Sequence, residues 1–226
     1  MSPPGPRQLA LALDHAESLA REDFLSGPSN AAALALIERF PDWPGRTAVL
    51  IGPEGSGKSH LAAIWAEEAG ARLLGARLLA TAHLPAALAT GALVVEDLAL
   101  GSFDERALFH LLNFAREEEA YVLLTARAAP AGWNVAIRDL GSRLKALPVV
   151  TLAAPDDTLL RAVLVKLFAD RQLLVDESLV GYVVTRIERS FSAARAAVAE
   201  LDQEAMRLKR PLTRALAAEV LRQREP

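Results

Sequence analysis

Cysteine is missing from all 226 residues, which removes disulfide frameworks, thiolate nucleophiles and cysteine-based zinc sites together. Histidine occurs at His15, His60, His83 and His110, and no two of them stand at metal-ligand spacing. Aromatic residues make up 5% of the chain and the formal net charge is −3. That balance argues against a strongly cationic surface for nucleic acid. Apolar runs are short and broken by charge, so neither a membrane span nor the apolar stretch of a signal peptide is expected. These absences suit a cytoplasmic protein without membrane contact. What is plentiful is core material. A hydrophobic content of 52% excludes disordered and collagen-like chains and supports one large domain, or one plus a small one.

Prolines at positions 3, 4 and 6 predict a mobile tail, with order starting near Asp23. From Arg46 to Leu152, short β-rich apolar runs alternate with helical patterns. Strands are expected at Thr47 to Ile51, Arg72 to Leu74, Leu93 to Val95, Tyr121 to Thr125 and Val149 to Leu152. Such alternation predicts an α/β fold with a parallel five-stranded sheet sandwiched by helices. Several strands are apolar at consecutive positions, as expected where both faces are buried. After Ala154 no β-rich run follows, and Pro155-Asp156-Asp157 signals a helix start. Helices are expected at about 157–171, 177–188, 192–208 and 212–223, with Asp176, Ser192 and Thr213 near their starts.

Gly52-Pro53-Glu54-Gly55-Ser56-Gly57-Lys58-Ser59 fits the phosphate-loop pattern between a strand and a helix running to about Ala69. The glycines let backbone N–H groups turn inward around phosphates, and the helix N-terminus adds partial positive charge. Lys58 reaches the β and γ phosphates, and Ser59 can ligate magnesium. The chain has only four lysines, Lys58, Lys145, Lys166 and Lys209, and one sits here. Ala92 to Val95 leads into Glu96-Asp97, an apolar strand ending in two carboxylates as in a Walker B segment. Magnesium coordination and water activation each want an acid there. The usual aspartate-then-glutamate order is reversed, which leaves Glu96 at the metal position and the chain's own hydrolytic competence open. The competing account is an acidic strand end that starts a loop. Thr125 closes its strand, where a hydroxyl could meet the γ-phosphate or simply make a turn. Arg143 precedes the last strand and Arg195 lies on a later helix; each is either a solvated helix charge or a phosphate-directed cation.

Phosphate loop, acidic strand, polar strand end, late arginine and helical lid, in that order, resemble the AAA+ ATPases, and the DnaA-related branch in particular. Asp23-Phe24-Leu25-Ser26-Gly27-Pro28-Ser29-Asn30 resembles the segment that borders adenine in DnaA, which implicates Phe24, Leu25 and, beyond the loop, His60. Gly141-Ser142-Arg143 resembles its arginine finger, and Ser192-Ala193-Ala194-Arg195 its sensor 2 motif. The resemblance implies a base over 23–154 and an all-α lid over 155–226, after a flexible tail over 1–22. Gln8-Leu9-Ala10-Leu11-Ala12-Leu13 is similar to the peptide with which proteins dock on the β sliding clamp of DNA polymerase III. Gln8 would make polar contacts and Leu9, Leu11 and Leu13 would present together from an extended chain; a frayed strand or helix turn is the alternative.

With the lid as the last element before Pro226, the pattern is similar to the Hda (HdaA) family of DnaA-related regulators. That resemblance implies a resident ADP (or ATP) with Mg2+ at Ser59, Glu96 and Asp97. It also implies an Arg143 finger supplied in trans to DnaA, and contact with DNA only indirectly through the clamp. The implied role is negative regulation of replication initiation. An autonomous AAA+ ATPase of the helicase-loader type is the second reading, and a nucleotide-dependent adaptor the third. Whether the chain forms a homodimer stays open on the sequence.

Overall fold

A computed structural model describes residues 18–43 and 45–222. The peptide from Gln8 to Leu13 lies outside the described residues. An opening 3-10 turn, Arg21–Asp23, leads to helix α1 (Ala31–Glu38). The alternating part follows as β1 (Thr47–Ile51), α2 (Lys58–Ala69), β2 (Arg72–Gly75), the short α3 (Leu84–Ala87), β3 (Ala92–Leu98), α4 (Glu105–Glu117), β4 (Tyr121–Ala126), α5 (Arg138–Ala146) and β5 (Val149–Thr151). Four further helices complete the described residues: α6 (Asp157–Asp170), α7 (Glu177–Val184), α8 (Phe191–Leu208) and α9 (Arg214–Arg222).

The five strands form one parallel sheet in the order β2-β3-β4-β1-β5. The phosphate-loop strand β1 is therefore interior, between β4 and β5. Pleating sends its residues to opposite faces. Ala48 and Leu50 join α1 and α2 in one apolar layer, while Val49 joins α4 and α5 in the other. All three are at most 1% exposed, which is why consecutive apolar residues stand there. Trp65 is fully buried, and Trp43 stacks on it at 5.0 Å. Phe109 is only partly buried against the opposite layer.

A third apolar cluster, built from Leu160, Phe168, Val183, Leu201 and Leu216 among others, belongs to α6 through α9 alone. All four of these helices open on side-chain caps, α9 on Thr213, whose Oγ1 accepts from Leu216 N–H at 3.3 Å. Asp156 accepts from Leu159 N–H at 2.8 Å, Asp176 from Leu179 N–H at 2.8 Å and Ser190 from Ala193 N–H at 3.0 Å. The cap of α8 is thus Ser190, and Ser192 lies near the helix start as expected. Ser190 has the extended backbone a cap requires, whereas Ser192 already lies within the helix. Helix α7 ends at Val184, short of the expected 188. The run Val183-Val184-Thr185 is β-branched and poorly suited to continue a helix. Among the described residues, no helix is long and apolar enough to cross a membrane.

Candidate nucleotide site

Strand β1 delivers Gly52 at the carboxyl edge of the sheet, and the loop to Gly57 returns the chain into α2. Two glycines are required here by contact. A Cβ on Gly52 would come within 2.5 Å of the Leu152 carbonyl oxygen. On Gly55, at φ +69°, a Cβ would run into Ser190 and Ser192 at the start of α8. The same closeness makes a bond, since Phe191 N–H donates to the Gly55 carbonyl at 2.8 Å. The helical part of the chain is thereby seated on the tip of the loop.

Between loop and helices lies a cleft of about 660 Å³, within the usual size of small-molecule sites. Its floor is made by Glu54, Gly55, Gly57, Lys58, Ser59 and His60, and its far wall by α6 and α8, with Arg195 facing the loop. Phe24 and Leu25 close one end. Phe24 is buried and meets the His60 ring edge-on at 5.2 Å, while His60 Nε2 lies 3.0 Å from the Ala20 carbonyl. Asn30 fixes this segment from below. Its Oδ1 accepts from Gly27 N–H at 2.8 Å and its Nδ2 donates to the Leu25 carbonyl at 3.0 Å.

Lys58 is 7% exposed and donates to the Gly52 and Pro53 carbonyls at 2.9 and 2.7 Å. Burial pushes its pKa below the ordinary lysine value, and the negative charge of Asp97 is the strongest opposing influence. An anion in the cleft would relieve this buried cation.

The two acids of β3 part company. A one-residue bulge opens between Val95 and Leu98, and Asp97 takes a left-handed φ of 57°. Asp97 consequently lines the cleft, with its N–H donating to Thr125 Oγ1 at 3.0 Å. Glu96 does not line it. Its Oε1 is buried without a protein partner, an orphaned acceptor that suits a cation or its water. Among the described residues no cluster of three or more metal-binding side chains occurs. Magnesium in phosphate sites needs only one or two carboxylates beside the phosphates and water; of the three expected ligands, Ser59 and Asp97 line the cleft, and Glu96 stands next to Asp97 with its orphaned oxygen. The buried Thr125 gives its acceptor capacity to Asp97 and does not line the cleft. Gly52, Pro53 and Ser56 belong to the loop without lining the cleft.

Arg143 stands elsewhere. On α5, its guanidinium lies 5.5 Å from the centre of the Phe109 ring, away from this cleft.

The residues that sequence reasoning missed are charged. Arg127, just past β4, reaches Glu54 of the loop, with 2.7 Å between Nη2 and Oε2. Lys166 of α6 pairs with Asp23 at 2.6 Å and with Asp170 at 3.0 Å. Rarity of lysine was the one hint available for Lys166; Arg127 needed the knowledge that β4 adjoins β1. The Lys166 bond holds the Asp23 carboxyl below its usual pKa, and the Asp23 bond raises Lys166. A depressed carboxyl stabilises the fold above the ordinary aspartate range and ceases to as pH falls through its folded value. A raised lysine stabilises below its ordinary range and ceases to as pH rises through its folded value. The urea midpoint of Asp23→Asn should therefore lie slightly below that of wild type at neutral pH. The gap should close on acidification below about pH 4 and again above about pH 10.

No protein-family model matches the sequence, and no curated protein matches it. Solved structures do. Domain III of the replication initiation protein DnaA from Thermotoga maritima aligns with TM-score 0.75 and 18% identity over 92% of this chain and 98% of that one. DnaA from Aquifex aeolicus bound to AMPPCP aligns with TM-score 0.63 and 18% identity over 83% of this chain, which spans 64% of that longer chain. The Thermotoga maritima RuvB Holliday junction branch migration motor aligns with TM-score 0.72 and 15% identity, covering 91% of this chain and 72% of that one. The fold is the one seen in these DnaA and RuvB structures, with the five-stranded parallel sheet and the helical C-terminal part in place.

Proposed function

We propose that the chain is an AAA+ regulator of replication initiation that holds ADP (or ATP) and accelerates ATP hydrolysis by DnaA with an arginine supplied in trans. The observation that carries the reading is the separation of Arg143 from the chain's own phosphate loop. A cation on α5 beside Phe109, outside the cleft that Lys58 lines, would act on a nucleotide held by a neighbour. An arginine finger works by setting guanidinium charge against the phosphoryl group as negative charge shifts in the transition state.

The resident nucleotide is then structural. Lys58 from the base and Arg195 from the lid both face the cleft, so a bound diphosphate would tie 23–154 to 155–226 and keep α5 in a fixed orientation. Magnesium, held at Ser59, Glu96 and Asp97, would neutralise phosphate charge. The likeness to DnaA and the fit of the cleft support this reading. Phosphate release from DnaA–ATP in the presence of the DNA-loaded clamp should rise on adding this chain; no rise rejects the proposal.

The clamp would be reached through Gln8, Leu9, Leu11 and Leu13, which raises the local concentration of the module beside DNA without direct DNA contact. Changing Gln8, Leu11 and Leu13 to alanine should abolish co-elution with the β clamp and leave ADP binding intact. Unchanged co-elution would remove this assignment.

Asp97 favours a second reading, because its bulge brings a carboxylate to the cleft beside Lys58. An autonomous, helicase-loader-like ATPase would use it to activate water. Steady turnover in the absence of DnaA distinguishes that reading from the first.

A further inference from the structure

Residues 18–25 form one wall of the cleft, which Ser18, Leu19, Asp23, Phe24 and Leu25 line. Among the described residues, the backbone of this segment bonds to other backbone groups only within itself, Asp23 N–H to the Ala20 carbonyl and Phe24 N–H to the Arg21 carbonyl. Side chains hold it in place. Arg21 reaches Glu38 of α1 at 2.6 Å, His60 of α2 lies against the Ala20 carbonyl, Phe24 is buried, and Asp23 meets Lys166 of α6 at 2.6 Å. The pair with Glu38 is about half exposed and contributes little. The pair with Lys166 is only 28% exposed at the lysine and 21% at the aspartate, so water and salt screen it less. It joins the segment to the lid.

The lid rests on the rest of the base by firmer means. Phe191 N–H donates to the Gly55 carbonyl at 2.8 Å, and Ala153 N–H, just before α6, to the Ser29 carbonyl at 2.9 Å. Leu159 packs so closely on Gly27 that a Cβ there would lie 3.1 Å from its Cδ2. Backbone bonds and close packing hold the lid, whereas side-chain tethers hold the wall, so the wall is the easier of the two to open.

We propose that residues 18–25 are a strap over the cleft, latched to α6 by Lys166, and that a bound nucleotide leaves when the strap is released while the lid stays seated on Gly55. The strap rests on the nucleotide reading above and concerns the route of exit. Lys166 is placed to let go. When Asp23 moves away, its ammonium keeps Asp170 at 3.0 Å, so no unpaired charge is left in the wall, and the freed Asp23 carboxylate returns to water.

Release of tritiated ADP from the full chain, chased with excess unlabelled ADP and followed by filter binding, reads the exit. Lys166→Met and Asp23→Asn should each speed release about tenfold, the loss of one charge-assisted contact. The double variant should be no faster than the faster single. Removing a negative charge beside an anionic ligand would by itself slow release, so acceleration by Asp23→Asn is the diagnostic result. Gly27→Cys with Leu159→Cys then separates strap from lid. The 3.5 Å from a Gly27 Cβ to the Leu159 Cβ suits a disulfide, and without native cysteine no other bridge competes. Release should be equal in the oxidised and reduced forms, because the bridge pins α6 and leaves the latch alone. Slower release on oxidation, a Lys166→Met effect that Asp23→Asn does not share, or no acceleration by either variant overturns the strap alone. Wild-type protein that retains no ADP overturns the nucleotide reading and the strap with it.

Discussion

Arg143→Ala should lower the stimulation of DnaA-bound ATP hydrolysis by about 10³-fold or more, the range for an arginine finger lost in trans. The variant should fold. Arg143 is half-buried, and its one described aromatic contact is with Phe109 at 5.5 Å, a cation–π interaction worth about 0.5–1 kcal/mol near the surface. Nucleotide occupancy should be unchanged, because the residue does not line the chain's own cleft. Arg143→Lys sharpens the result. It retains the charge but loses the planar fork that matches phosphoryl oxygens, so it should restore little. If a folded, nucleotide-loaded Arg143→Ala stimulates DnaA as well as wild type, the trans role is wrong.

Lys58→Ala should lose nucleotide affinity by about a hundredfold, as two charge-assisted contacts would imply. Its effect on the empty protein should be small or stabilising. Burial already opposes the charge on Lys58, and alanine removes a cation that burial disfavours. With ADP present the order reverses. A ligand that binds only the folded state raises the melting temperature in proportion to the logarithm of its saturation, and the variant forfeits that gain. Melting curves with and without ADP should show a rise for wild type and a flat response for Lys58→Ala. A full ADP-dependent rise in the variant would place the phosphates elsewhere.

The strands and the phosphate loop were legible because their signals are local. Thr47 to Ile51 is a β-rich apolar run, and the glycines after it admit the positive φ of Gly55 and Gly57. Strand ends were less legible. β3 was expected at Leu93 to Val95 with the two acids at its end, and it runs from Ala92 to Leu98, because the Asp97 bulge lets the ladder resume beyond the acids. That bulge also decided which acid faces the cleft, and nothing in Glu96-Asp97 as written distinguishes the two. Thr125 was read as a phosphate contact or a turn residue, and its hydroxyl accepts instead from the Asp97 amide on the neighbouring strand.

By itself the sequence settles an alternating α/β base, a phosphate loop between strand and helix, and a helical end whose caps are written in Asp156 and Asp176. Periodicity, glycine freedom and capping all act within a few residues of chain. Tertiary structure alone decides the company those residues keep. Placing β1 beside β4 brings Arg127 to Glu54, and seating α8 on Gly55 brings Arg195 across from Lys58. These meetings join positions about seventy to one hundred and forty residues apart, and charges so distant in sequence carry no local pattern that would pair them.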